Sequence, residues 1–155
     1  MKSKNDVQIK NQNQGLYDDD YYLWLRQTAK LISQGEFSEV DTVNLVEEIE
    51  DMGKREKRAV ESNLTVLLAH LLKYKYQPQK RSNSWTGTII EHRRRIKKAF
   101  RDSPSLKQYF YDIFEATYQD AIRAAVGETG LDVKTFPQSS PFSQDEVMND
   151  DFYPH

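Results

Sequence analysis

The residues whose types and spacing come nearest to chemistry are His70, His92, Asn63 and Glu56. Imidazoles ligate metals or move protons, and a carboxylate beside them would complete an acid/base pair or a hydrolytic metal site. At about 100° per residue, Glu56, Asn63 and His70 share a helical seam with Leu45, Ile49, Met52, Ala59, Val60, Leu67 and Tyr74. His92 lies in the apolar stripe of the next predicted helix, and an antiparallel hairpin would bring it within a turn of His70. Di-iron bundles place a glutamate three residues before each histidine, but here Leu67 precedes His70 and Ile89 precedes His92. The four residues are therefore read first as a hydrogen-bonded string that sets helix register, and a metal-dependent hydrolase centred on His70, His92 and Glu56 ranks last. No cofactor is expected.

Charge is the second conspicuous feature. From Lys73 to Arg101 ten Lys or Arg residues stand against the single Glu91, a local balance of +9, whereas Glu36 to Asp51 holds seven acids and no base. Arg94, Lys97, Lys98 and Arg101 project from one side of the basic helix 84–102 as a cationic ridge able to neutralise phosphates of a nucleic acid. Glu47, Glu48, Glu50 and Asp51 are expected to form a solvated acidic face rather than a divalent-cation site, because nothing supplies opposing carboxylates. Pairing of the acidic and basic faces, within the chain, in a homodimer or with a charged protein partner, is favoured over nucleic acid.

Positioning these groups falls to helices. The 155 residues include only six glycines and five prolines, with no proline between Tyr17 and Gln77. Helices are predicted from Asp18 to Gln34, with Gly35 as stop, and from Asp41 to Gln77, with a break at Gly53. Two more are predicted from Asn83 or Ser84 to Asp102, and from Ser103, with Pro104 in the first helical position, to Gly127 or Gly130. Trp24 and Trp85 lie on apolar stripes and are expected in the core. Ser143 with Glu146 is a capping box for a short helix through Met148. Phe136-Pro137, Pro141-Phe142 and Phe152-Tyr153-Pro154 punctuate residues 131–155 as anchors of an extended arm. No period-two alternation longer than four residues is present. The expected architecture is all-α, an up-and-down bundle of four to five helices forming a single domain over 17–155 with the arm packed on it, preceded by a solvated tail over 1–16.

With no cysteine, disulfides, thiolate zinc sites and thiol nucleophiles are excluded, and a reducing, cytoplasmic setting is expected. The longest apolar stretches, such as Leu64 to Leu72, fall far short of the roughly 20 residues a bilayer needs, so no membrane partner is expected. There is no phosphate-cradling glycine loop and no nucleophile elbow.

The run Tyr22-Leu23-Trp24-Leu25, then Gly35 to Asp41, then Asn44-Leu45-Val46-Glu47-Glu48-Ile49-Glu50-Asp51-Met52-Gly53 resembles the bacterial family catalogued as domain of unknown function twenty-nine. Leu67 to Lys73, Gln77-Pro78, Ser84-Trp85, Arg93-Arg94-Arg95-Ile96, Ser103 to Leu106, Glu128 to Leu131 and Phe136-Pro137 extend the likeness to nearly the whole chain outside the tail. Thr86-Gly87 departs from the usual pattern. The resemblance implies a small all-helical protein and assigns no activity and no catalytic residue. The function expected from the residues is a non-enzymatic interaction module with segregated acidic and basic faces; nucleic-acid binding is the alternative.

Overall fold

The computed structural model describes residues 15–155, so the tail expected over 1–14 lies outside the described residues. Gly15 and Leu16, assigned above to that tail, instead open a helical turn over 15–19. The protein is an all-α helical bundle, with no strand among the described residues. Its helices are α1 (Tyr21–Ser33), α2 (Thr42–Tyr76), α3 (Asn83–Asp102), α4 (Leu106–Thr129) and α5 (Gln144–Met148). No helix among the described residues is long and apolar enough to cross a membrane.

Local chemistry sets most boundaries. The Asp20 carboxylate accepts from the Leu23 amide at the start of α1, Ser82 does the same for Trp85 at the start of α3, and Ser143 with Glu146 forms a reciprocal capping box on α5. Gly35 and Gly130 take the left-handed conformation after α1 and α4, where a side chain would strain the backbone. Pro104 stands in the turn before α4 rather than in its first helical position. The Leu106 amide bonds back to Ser103 and the Lys107 amide to Pro104, which starts the helix two residues later than expected.

The described chain divides into two compact units, the first ending at Gly53 and the second beginning at Lys54. The expected helix break at Gly53 does not occur, and α2 runs through it. A lone glycine costs a helix about 1 kcal/mol, too little to outweigh the ladder of hydrogen bonds on either side.

In the first unit Trp24 is sealed, with Tyr17 edge-on at 4.9 Å and Tyr21 stacked at 6.0 Å. Asp41 caps α2 through the Asn44 amide and also binds the Asn44 side chain at 2.7 Å. In the second unit Val60, Leu64, Leu67, Leu68, Leu71 and Leu72 of α2 form one core with Ile89 and Ile96 of α3 and Phe110, Phe114 and Tyr118 of α4. Phe136, Phe142 and Val147 of the C-terminal arm belong to that core as well. The Tyr118 hydroxyl donates to the Pro137 carbonyl at 2.6 Å, so the buried phenol is satisfied by the arm.

The seam assigned to α2 from sequence is displaced. Ile49 and Met52 are more than half exposed and Ala59 is exposed, while Leu64, Leu68 and Leu71, which that seam omits, are fully buried. The physical reason is that α2 buries different sides in its two halves, so a single direction drawn from Leu45 onward averages two faces that do not coincide.

Candidate functional site

The polar string between α2 and α3 forms in part. The Asn63 amide nitrogen donates to the Ala59 carbonyl at 2.7 Å, which turns the amide oxygen toward His92. His92 therefore donates through Nδ1, at 2.8 Å. His70 likewise donates Nδ1–H to the Val66 carbonyl at 2.9 Å, since a carbonyl can only accept. Both neutral imidazoles thus carry their remaining lone pair on Nε2. Each ring is half-buried. Burial, with Lys73 adding to it, lowers His70 below the ordinary imidazole value; burial, then Arg95, then His70 itself lower His92. The contact that the hairpin makes across α2 and α3 is the one between Asn63 and His92.

Glu56 is exposed and hydrogen-bonds to neither histidine; among the described residues no group of three or more His, Cys, Asp or Glu side chains is arranged to hold a metal ion. One hydrogen bond, from His92 to Asn63, thus joins α3 to α2, while His70 is bonded within α2. A pH prediction follows. Both folded-state values lie below the ordinary 6.5, so the unfolded chain binds protons first as pH falls. The stability contributed by the neutral rings is complete above that value and is lost as pH drops through the folded values. The thermal midpoint should therefore decline between pH 7.5 and 5.5, and the decline should flatten in the His70→Gln, His92→Gln double variant; an unchanged slope would contradict the assignment. Glu91 does not contribute in that window, because Arg94 and Arg95 hold its carboxyl at about 2.

The basic ridge is largely paired within its own unit. Arg94 grips Glu91 with two hydrogen bonds at 2.8 and 2.9 Å, and Arg95 shares the same carboxylate. Lys98 pairs with Asp102, and Lys97 with Asp150 of the arm at 2.6 Å. Among the described residues Arg101 alone of the four ridge cations lacks an ion pair. These exposed pairs are weak individually, and since Arg94 and Arg95 share one carboxylate and Arg101 has none, they reduce the positive charge of the ridge without cancelling it.

The acidic face needs one correction. Glu47 and Glu50 are exposed, and Asp51 is half-buried, but Glu48 is buried. Its two carboxylate oxygens each accept a tyrosine hydroxyl at 2.6 Å, from Tyr17 and from Tyr21. The hydrogen bond to Glu48 is the main reason that the Tyr17 phenol is pushed up to about 12. The carboxylate is thus a structural acceptor for the two tyrosines that pack on Trp24, whose indole N–H finds no hydrogen-bond partner among the described residues. Trp85 also departs from expectation, being half-buried beneath the Lys73 ammonium 4.8 Å away, which in turn pairs with Glu128.

Sequence reasoning missed Arg93. This side chain is wholly buried, and its guanidinium donates to three main-chain carbonyls of the arm: Val147 at 2.7 Å, Asp150 at 3.4 Å and Phe152 at 2.8 Å. The Tyr153 ring lies 5.5 Å away. Burial pulls the guanidinium down from its ordinary value, with Tyr153 and Asp150 opposing, and it stays cationic. Further along the arm, Arg81 donates to the Pro154 carbonyl as well as to the Tyr74 carbonyl at the end of α2, and Lys75 reaches the His155 carbonyl. The available signal was spacing, since Arg93 falls between Ile89 and Ile96 on the buried stripe of α3 while its neighbours Arg94 and Arg95 do not.

Residues 16–153 match the family model described as Domain of unknown function DUF29. No curated protein and no solved structure matches the chain.

Proposed function

Because the chain belongs to the family Domain of unknown function DUF29, its role has to be read from its own surfaces, and we propose that it is a non-enzymatic interaction module of the cytoplasm. The docking face is the first half of α2, and its occupant is a cationic amphipathic helix of a partner protein. One observation carries this reading. Ile49 lies eighteen residues, five helical turns, before Leu67 on the same line of α2, yet Ile49 is 60% exposed and Leu67 0%. Val46 and Leu64 repeat the relation at 54% and 0%. Val43 and Met52 add two more large apolar side chains that are over half exposed. A surface helix normally keeps such residues from water, and a contiguous exposed row of them marks an association surface.

Charge selects the occupant. Glu47 and Glu50 flank the row, and from Glu36 to Gly53 there is no base at all. A cationic helix gains on both counts, through burial of its apolar side and through complementary potential, whereas a second copy of this segment would meet like charge.

A synthetic Leu/Lys amphipathic helix and its Leu/Glu counterpart, titrated against the full chain, test the proposal. The Leu/Lys peptide should bind, more weakly as salt rises, and binding should vanish in the Val46→Asp, Ile49→Asp double variant. Equal binding of both peptides, or binding untouched by that variant, would overturn it. So would a homodimer in sedimentation that the same variant dissolves, which would assign the face to self-association.

A further inference from the structure

We propose that the corner between α3 and α4 is a binding site for an organic phosphate of about nucleotide size. A cleft of about 460 Å³ opens there, lined by Lys97, Phe100 and Arg101 of α3, Pro104 of the turn and Lys107 of α4. That volume lies within the range of small-ligand sites, roughly 300–1,000 Å³. The lining combines what such a ligand needs: three cationic side chains for a phosphate, and a phenyl ring and a proline for an apolar or aromatic body. This site is separate from the docking face of α2 and does not depend on it.

The charge count matches a phosphate monoester. Asp150 of the arm pairs with Lys97, while Arg101 and Lys107 carry no ion pair among the described residues. Three cations against one carboxylate leave +2, the complement of a phosphate dianion. The beginning of α4 adds to this potential. Its first turn contains no acid and Ser105 makes no side-chain capping bond, so although the Leu106 and Lys107 amides turn back to the Ser103 and Pro104 carbonyls, no carboxylate within that turn offsets the positive end of a helix of 24 residues. The rest of the ridge is engaged elsewhere, Arg94 with Glu91 and Lys98 with Asp102, which makes a concave small-molecule site a better fit than a track for a nucleic-acid backbone. Asp150, already on Lys97, acts as an internal competitor that the incoming phosphate displaces.

Titration of AMP, of inorganic phosphate and of a short thymidine oligonucleotide into the full chain, followed by amide NMR shifts, tests the site. AMP should perturb residues 97–107 saturably and bind more tightly than inorganic phosphate. Arg101→Gln and Lys107→Gln should each weaken it by about tenfold or more, as loss of a charge-assisted hydrogen bond does. Asp150→Asn should tighten it, an outcome that general disruption of the fold would not produce. Absence of shifts at these residues overturns the proposal. Equal affinity for AMP and phosphate, unchanged in Phe100→Leu, overturns its organic part. Tighter oligonucleotide binding that depends on Arg94 and Lys98 overturns it in favour of the extended ridge.

Discussion

Replacing Arg93 by methionine is expected to remove about 3–5 kcal/mol of folding stability and to free the C-terminal arm. The argument turns on the nature of the partners. A buried charge paired with a carboxylate side chain can be exchanged for apolar residues at little cost, provided both members change together. Here the acceptors are the carbonyls of Val147, Asp150 and Phe152, which no substitution removes. Methionine fills much of the arginine's volume but strands the buried Val147 carbonyl and leaves the partly buried acceptors on Asp150 and Phe152 to sparse water, at about 1–3 kcal/mol for a buried group left unpaired, on top of the lost charge-assisted bonds. Arg93→Lys is not expected to rescue the protein, because an ammonium cannot present the planar fork that meets acceptors on three residues. The urea midpoint should fall in both variants, and amide exchange over residues 142–154 should accelerate more than exchange in α4. Protection of the arm equal to wild type in Arg93→Met would show that its aromatic anchors alone hold it. Phe142 and Phe152 pack edge-to-face at 5.9 Å, and only Phe142 is buried.

The same aspartate substitution should have opposite consequences at two positions of equal angle on α2. Leu67→Asp places a carboxylate among Leu64, Leu68, Leu71 and the aromatics of α4, with no hydrogen-bonding partner in that layer. The loss should exceed about 4 kcal/mol, enough to unfold a domain of ordinary stability. Ile49→Asp should change stability by no more than about 0.5 kcal/mol, as exposed substitutions do. Thermal unfolding by circular dichroism distinguishes the two directly. A large loss at Ile49 would mean that its side chain is covered in solution, and the docking face on α2 would have to be abandoned.

The comparison of these two residues also states how far the primary structure reaches. Some helix ends were legible because they are decided within a few residues: the Ser143–Glu146 box satisfies free amides, and Gly35 and Gly130 supply the left-handed turn that ends a helix, whereas the first helix, expected from Asp18, begins only after Asp20, which caps it. The pairing of α2 with α3 was legible too, since a short connection between them leaves a helical hairpin little choice of register, and it sets Asn63 against His92. By contrast, Gly53 looked like a break because its local cost is visible and the cooperative ladder that overrides it is not.

Amphipathic periodicity identified α2 as a helix and could not say which side it buries at each point along its length. Val46 and Leu64, or Ile49 and Leu67, are indistinguishable by spacing; what separates them is whether another element lies against that stretch. Glu48 illustrates the same limit. Beside Glu47 and Glu50 it reads as one more solvated acid, and it becomes a buried acceptor because Tyr17 and Tyr21, some thirty residues away, bring hydroxyls to both of its oxygens. Arg93 is one of three consecutive arginines until the arm turns its carbonyls inward. The chain's own order of residues thus determined the all-helical class, the caps and the segregation of charge, all of which depend on near neighbours. Which side of α2 is core, which acid is buried and which arginine holds the arm were decided by tertiary packing, because burial and the pairing of polar groups depend on distant segments that local pattern does not locate.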